Sequence, residues 1–222
     1  MHTPKTYYIF FLTFLFLIPL KAQEKVRIDR IEQEDGRSLS HVFDIFEDKE
    51  GFIWFCSNLG LAKYDGYNFR FFNYDKNDTT SISNNWIYDG LADRKGRIWI
   101  AAAGGLNLMD RETQTFRRFF HKKGDSTSLN SSNARGVYED SKGRIWVGTL
   151  SGINLYNEET GGFYRIKAPG FRGFRYGPNF YEDKDGIIWA SSATGFYKID
   201  AAAKKALQML PIDKEKDFRV YE

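Results

Sequence analysis

DSKGRIWVGTLSGI, Asp140 to Ile153, is one of four versions of a single phrase in this chain. The others are DKEGFIWFCSNLGL from Asp48 to Leu61, DRKGRIWIAAAGGL from Asp93 to Leu106, and DKDGIIWASSATGF from Asp183 to Phe196. Their tryptophans, Trp54, Trp99, Trp146 and Trp189, stand 45, 47 and 43 residues apart. Around Asp140 the whole unit is legible. Arg135 to Glu139 reads as a strand, Asp140 to Gly143 as a turn, and Arg144 to Gly148 as a strand rich in β-formers. Ser151-Gly152 reverses the chain into Ile153 to Tyr156, and Gly161-Gly162 leads into Phe163 to Ile166. Four short strands with glycine at the reversals make one antiparallel meander. Meanders recurring at this period predict an all-β fold, a β-propeller with four recognisable four-stranded blades.

Laid in register, the copies assign their most tempting residues to architecture. Asp48, Asp93, Asp140 and Asp183 are placed to accept backbone N–H bonds within each turn, and Gly51, Gly96, Gly143 and Gly186 to take the positive φ that closes it. Each blade tryptophan lies mid-strand, where its apolar face fills the wedge between blades. Cys56 shares a column with Ala101, Gly148 and Ser191, so it reads as an inert packing residue rather than a nucleophile. Asp183-Lys184-Asp185-Gly186 looks like the start of a calcium loop, but no ligands continue at the required spacing. The turn also recurs elsewhere without the middle carboxylate. No metal and no cofactor is implied.

Function is then expected in the segments between copies. Asn77 to Asn85 matches Gly124 to Ser132: polar residues around one apolar plug, Ile82 or Leu129, describing a long loop pinned once to the core. Such loops rise on one face, beside the shorter loop after each tryptophan strand, where propeller blades build a shared bowl. Trp86, Asn85, Asn133 and Arg135 are the candidate ligand-binding residues. Trp86 is not a blade tryptophan, and an aromatic platform with Asn and Arg beside it suits a sugar ring and its hydroxyls. Its competing role is packing between blades. The loop from Ala168 to Pro178 interleaves Phe171, Phe174 and Tyr176 with Arg172 and Arg175, and reads chiefly as aromatic packing on the next blade. The first copy lacks a complete preceding strand set, Val26 to Ile31 being the only candidate.

The 222 residues open on a secretory signal peptide at 1–22, with Lys5, the apolar run Ile9 to Leu20 and a small residue at Ala22. The run is short of the roughly 20 residues needed to span a bilayer. Cleavage removes Lys5 and Lys21 and takes the formal charge from +3 to +1, so no nucleic-acid surface is indicated. No membrane span remains, and residues 23–222 are expected to form a partial propeller in the periplasm.

The four Asp-x-x-Gly-x-Ile-Trp copies resemble the two-component regulator propeller repeat, as do Gly60-Leu61 with Tyr64-Asp65-Gly66-Tyr67-Asn68-Phe69 and the Asp-Thr-Thr-Ser and Asp-Ser-Thr-Ser loops. The likeness runs over nearly all of Val26 to Glu222. It implies the periplasmic sensor region of hybrid two-component histidine kinases of Bacteroidetes, with propellers of roughly seven blades. It further implies a function in sensing glycan fragments and switching on genes for their use. No kinase or receiver motif follows here. Phe218 to Glu222 repeats the phrase that precedes Asp140 and Asp183, so a truncated sensor is expected. Its partners would be an oligosaccharide and the remaining blades or a second copy for closure or dimerisation. A stand-alone scaffold for protein contacts is the alternative. A propeller lyase of the streptogramin-inactivating type is a further one. Neither His2, His41 nor His121 repeats or pairs, so no catalytic residue is assigned and the chain reads as a non-enzyme.

Overall fold

The computed structural model describes residues 41–173 and 180–211, and every regular element in them is a β-strand. The segment 1–22 expected to be a signal peptide, Val26 to Ile31, the part of the fourth loop from 174 to 179 and the phrase 218–222 lie outside these residues. Blade 1 contains β1 (Val42–Glu47), β2 (Ile53–Ser57), β3 (Gly60–Tyr64) and β4 (Phe69–Phe72). Blade 2 contains β5 (Ile87–Ala92), β6 (Ile98–Ala102), β7 (Gly105–Met109) and β8 (Phe116–Phe119). Blade 3 contains β9 (Ala134–Glu139), β10 (Ile145–Thr149), β11 (Gly152–Asn157) and β12 (Gly162–Ile166). Blade 4 contains β13 (Phe180–Glu182), β14 (Ile188–Ser192), β15 (Gly195–Asp200) and β16 (Lys205–Pro211). Each blade is a separate four-stranded sheet paired in chain order. The first copy is therefore complete, because β1 supplies the strand that Val26 to Ile31 had been expected to provide. His41 precedes β1 rather than lying in it, at a φ of 47°.

One bonding pattern builds all four turns. Asp140 Oδ1 accepts the backbone N–H groups of Lys142 and Arg144 at 3.0 Å each, and its Oδ2 accepts Trp146 Nε1–H at 2.8 Å. Asp48, Asp93 and Asp183 repeat this with Trp54, Trp99 and Trp189 at 2.9, 2.9 and 2.8 Å. Gly51, Gly96, Gly143 and Gly186 take φ of 85, 80, 74 and 74°, a region that a side chain disfavours. The aspartate thus closes the turn and also satisfies the indole N–H that a buried tryptophan must place somewhere. In blades 2 and 3, Arg97 and Arg144 add a bond to the same carboxylate and lie over the indole.

Those tryptophans sit between blades. Trp54 packs with Ile87, Ile98 and Phe116 of blade 2, Trp99 with Val137, Ile145 and Phe163 of blade 3, and Trp146 with Phe180, Ile188 and Tyr197 of blade 4. All three are fully buried, whereas Trp189 is partly exposed, since no described blade lies beyond blade 4. The first strands of successive sheets adjoin, β1 against β5 and β5 against β9, and so form the inner wall. Packing there is close: a Cβ at Gly90 would stand 2.1 Å from the Phe46 ring.

Turns also interlock. Glu139 of blade 3 accepts the Arg94 N–H of blade 2 at 2.9 Å, and Glu182 of blade 4 accepts the Ser141 N–H of blade 3 at 2.6 Å. The long loops behave as clamps. Ile82 and Leu129 are fully buried plugs, and buried Asn107 and Asn154 accept Ser83 N–H and Asn130 N–H at 2.8 and 3.0 Å. Thr80 and Thr127 carbonyls accept Phe116 and Phe163 N–H at 2.7 Å, extending the outer strands of blades 2 and 3. Arg118 and Arg165 then grip the loop carbonyls of Asp78 and Ser81, and of Asp125 and Ser128.

Candidate functional site

The inner strands of blades 1 to 3 break register at the same point. In β1 the pairing jumps from Val42 to Asp44, in β5 from Ile87 to Asp89, and in β9 from Ala134 to Gly136. The residues left out of the ladder are Phe43, Tyr88 and Arg135, each five positions before its turn aspartate. A bulge bends its strand and redirects the extra side chain, and bulges concentrate beside binding sites. Three in successive blades aim three side chains at one patch on the inner wall.

There the rings gather. Phe43 and Trp86 stack with centroids 5.7 Å apart and planes at 29°, while Tyr88 lies 5.8 Å from Phe43 and 6.5 Å from Trp86. Trp86 keeps 45% of its surface in solvent and Phe43 36%, which leaves an apolar ledge at the surface. The Arg135 guanidinium covers the Tyr88 ring at 3.9 Å, in cation–π range. Arg135 Nε and Asn133 Oδ1 are buried without a hydrogen-bond partner among the described residues. Orphaned polar atoms of this kind are uncommon and costly.

The structure therefore brings Trp86, Arg135 and Asn133 to one face, at the start of the inner strands. Short turns border them: Ala103 N–H donates to the Trp86 carbonyl at 3.0 Å and Leu150 N–H to the Asn133 carbonyl at 2.9 Å. Asn85 serves its own loop instead, its Oδ1 accepting Tyr74 N–H at 2.6 Å. Phe43 and Tyr88 were missed in the sequence. Their column was readable in principle, as the one holding Phe43, Tyr88 and Arg135, but only the bulge reveals that it shares a surface. Phe171 packs edge-on against Tyr197 at 5.2 Å, as its loop's aromatic content suggested.

Just behind the ledge, two carboxyls suture the inner wall. Asp44 Oδ2 accepts Gly90 N–H at 3.1 Å, and Asp89 Oδ2 accepts Val137 N–H at 2.7 Å. Burial, and then the Asp44 charge and hydrogen bond, push Asp89 well above the usual carboxylate range despite the Val137 N–H. Cys56 lies against the same pair, fully buried, and desolvation followed by these charges raises its thiol well above the ordinary range. That is the opposite of what a nucleophilic thiol needs. A polar groove of ≈ 290 Å³ at the outer rim is lined by Arg117, Lys122, Asp125 and Thr160 among others. Its Arg117 and Asp125 are bonded to Gly161 and Thr127, so it offers fewer uncommitted groups. No three candidate metal ligands meet among the described residues, and no described helix is long and apolar enough to cross a membrane.

Comparison with known proteins supports the same architecture. The SMP-30/Gluconolactonase/LRE-like region matches residues 49–218, and the Two component regulator propeller matches residues 36–58. Histidine kinase P4 of Formosa agariphila is 42% identical over 72 residues, covering 32% of this chain and 5% of that protein. The extracellular domain of a hybrid two component system from B. thetaiotaomicron aligns with a TM-score of 0.69 at 26% identity, over 82% of this chain and 26% of that one. Virginiamycin B lyase from Staphylococcus aureus, with a TM-score of 0.56 at 12% identity over 74% of this chain and 54% of its own, shares the fold alone. The chain thus spans about a quarter of that sensor domain and a far smaller part of the kinase. Over residues 49–218 the chain belongs to the SMP-30/gluconolactonase/LRE-like family, and at residues 36–58, around the first copy of its phrase, it matches the two component regulator propeller.

Proposed function

We propose that the chain is the ligand-sensing propeller region of a periplasmic hybrid two-component regulator, exported by its N-terminal signal segment, and that its ligand is a glycan fragment. The observation that carries this reading is the solvent-facing ledge of Phe43 and Trp86 beside Tyr88, where the bulges of β1 and β5 turn Phe43 and Tyr88 toward Trp86. A pyranose presents a flat C–H face that suits such rings, and its hydroxyls match Arg and Asn at the rim. The fold-level likeness to a lyase supplies no acid or base at this ledge. The inner-wall carboxyls beside it are tied to backbone N–H groups.

Calorimetry of the purified protein against a panel of oligosaccharides tests the reading. Binding to at least one member is expected, with Trp86→Ala weakening it by about ten-fold, the upper range of one aromatic contact. A flat response across the panel, or binding indifferent to Trp86, would overturn it.

Protein contact is a second role favoured by a specific observation. Ile45 of blade 1 is exposed, as are Tyr181, Phe196 and Leu207 of blade 4, giving apolar surface on both end blades. We propose that further blades of the same kind, or a second copy, cover it. Light scattering that finds a monomer unaffected by Leu207→Lys would count against the second copy.

A further inference from the structure

Building on the glycan reading, we infer that the ledge selects a sugar with an anionic ring substituent, a carboxylate or a sulfate ester, and that Arg135 is its specificity determinant. Five other arginines of these blades are matched within the fold, while Arg70 on the outer strand β4 has, among the described residues, only the Phe72 ring at 5.3 Å. Arg97 pairs with Asp93 and Glu158, Arg111 with Asp48, and Arg144 with Asp140, while Arg118 and Arg165 serve loop carbonyls. Arg135 has no ion pair and no hydrogen bond among the described residues, only the Tyr88 ring beneath it at 3.9 Å.

Stacking fixes the plane of the guanidinium and leaves its charge uncompensated. A planar fork held in place loses little freedom on binding an anion, and it matches a carboxylate in two parallel bonds. Asp89, one residue along β5 from Tyr88, does not supply the counter-charge. Its carboxyl is committed to Val137 N–H and to Asp44. Asn133 Oδ1, two residues before Arg135, is a buried acceptor with no partner among the described residues, which suits a neighbouring hydroxyl donor. Trp86 and Phe43 meanwhile carry the ring, since apolar contact is indifferent to the substituent. The division of labour is specific: rings for the sugar, guanidinium for its charge.

The test uses trisaccharides of glucose, galactose and mannose, each offered to the purified protein in neutral, uronate and sulfated form. At least one charged form is expected to bind ten-fold or more tightly than its neutral counterpart, with the advantage shrinking as salt is raised. Arg135→Met should weaken every sugar but erase that preference, bringing charged and neutral forms to within about two-fold of each other on the variant. Arg135→Lys, which retains the charge but not the fork, should keep part of it for sulfate and less for carboxylate. Circular dichroism of both variants checks that the blades remain folded. Equal affinity for neutral and charged forms, or a preference that survives Arg135→Met, overturns the inference and leaves glycan binding intact. Failure of every sugar to bind overturns both together.

Discussion

At Asp89 a carboxyl only 2% exposed meets a second one, Asp44, across the inner wall. Its folded-state pKa is raised, so folding holds a proton that the unfolded chain releases near pH 4. Stability from this site is fully present below that pH and is lost as pH rises through the folded pKa. Asp89→Asn keeps an acceptor for Val137 N–H and gives Asp44 a donor. It should be about 1 kcal/mol more stable than the parent at pH 8, with a flatter pH dependence, by urea unfolding at pH 5 and pH 8. An unchanged slope would show that the pair is not ionising there. Asp183 has the opposite sign. The Trp189 N–H, then Ile187 N–H, hold its carboxyl below the usual range, so its contribution is present above pH 4 and fades as acid protonates it. Neither behaviour was legible in the sequence, because Asp44 and Asp89 look like ordinary polar strand residues until neighbouring blades place them together.

In the blade, the aspartate turn is the element on which everything else is hung. Asp140→Ala would orphan two backbone N–H groups and the Trp146 indole N–H at once, a loss of about 3 kcal/mol in chemical denaturation. Asp140→Asn should cost nearly as much, because its amide cannot accept at both of the positions that Asp140 fills. An asparagine variant as stable as the parent would remove the indole bond from this account. This element was readable almost residue by residue: Asp, Gly and Trp recur in fixed register, and one plug residue, Ile82 or Leu129, recurs in each long loop. The indole bond itself was not read, since its six-residue span is local only once the turn has folded. The bulges at Phe43, Tyr88 and Arg135 were also hidden, because chemically different residues occupy their column. Arg118 and Arg165 escaped notice for a related reason, their targets lying in loops 37 to 40 residues away.

At the scale of the molecule, three cores join the four blades of the described residues, and each takes its tryptophan from the earlier blade. Trp99→Ala should cost about 3–5 kcal/mol, the range for emptying a large buried aromatic site. Trp189→Ala, at a partly exposed site, should cost less than half as much in the same denaturation experiment. Equal losses would mean that Trp189 is covered as fully as the others. Acrylamide should likewise quench Trp86 and Trp189 in preference to Trp54, Trp99 and Trp146, which single-tryptophan variants can resolve. The tryptophan packing between blades runs one way, from the tryptophan of one blade to the strands of the next, and at the last two junctions a turn N–H bonds the next blade's glutamate in the same direction. Every blade therefore carries both halves of the same fitting, like tongue and groove on one board. A duplication of the stretch encoding one blade would yield a unit that already mates with both neighbours, so an array of this kind can lengthen or shorten in evolution without redesigning a joint.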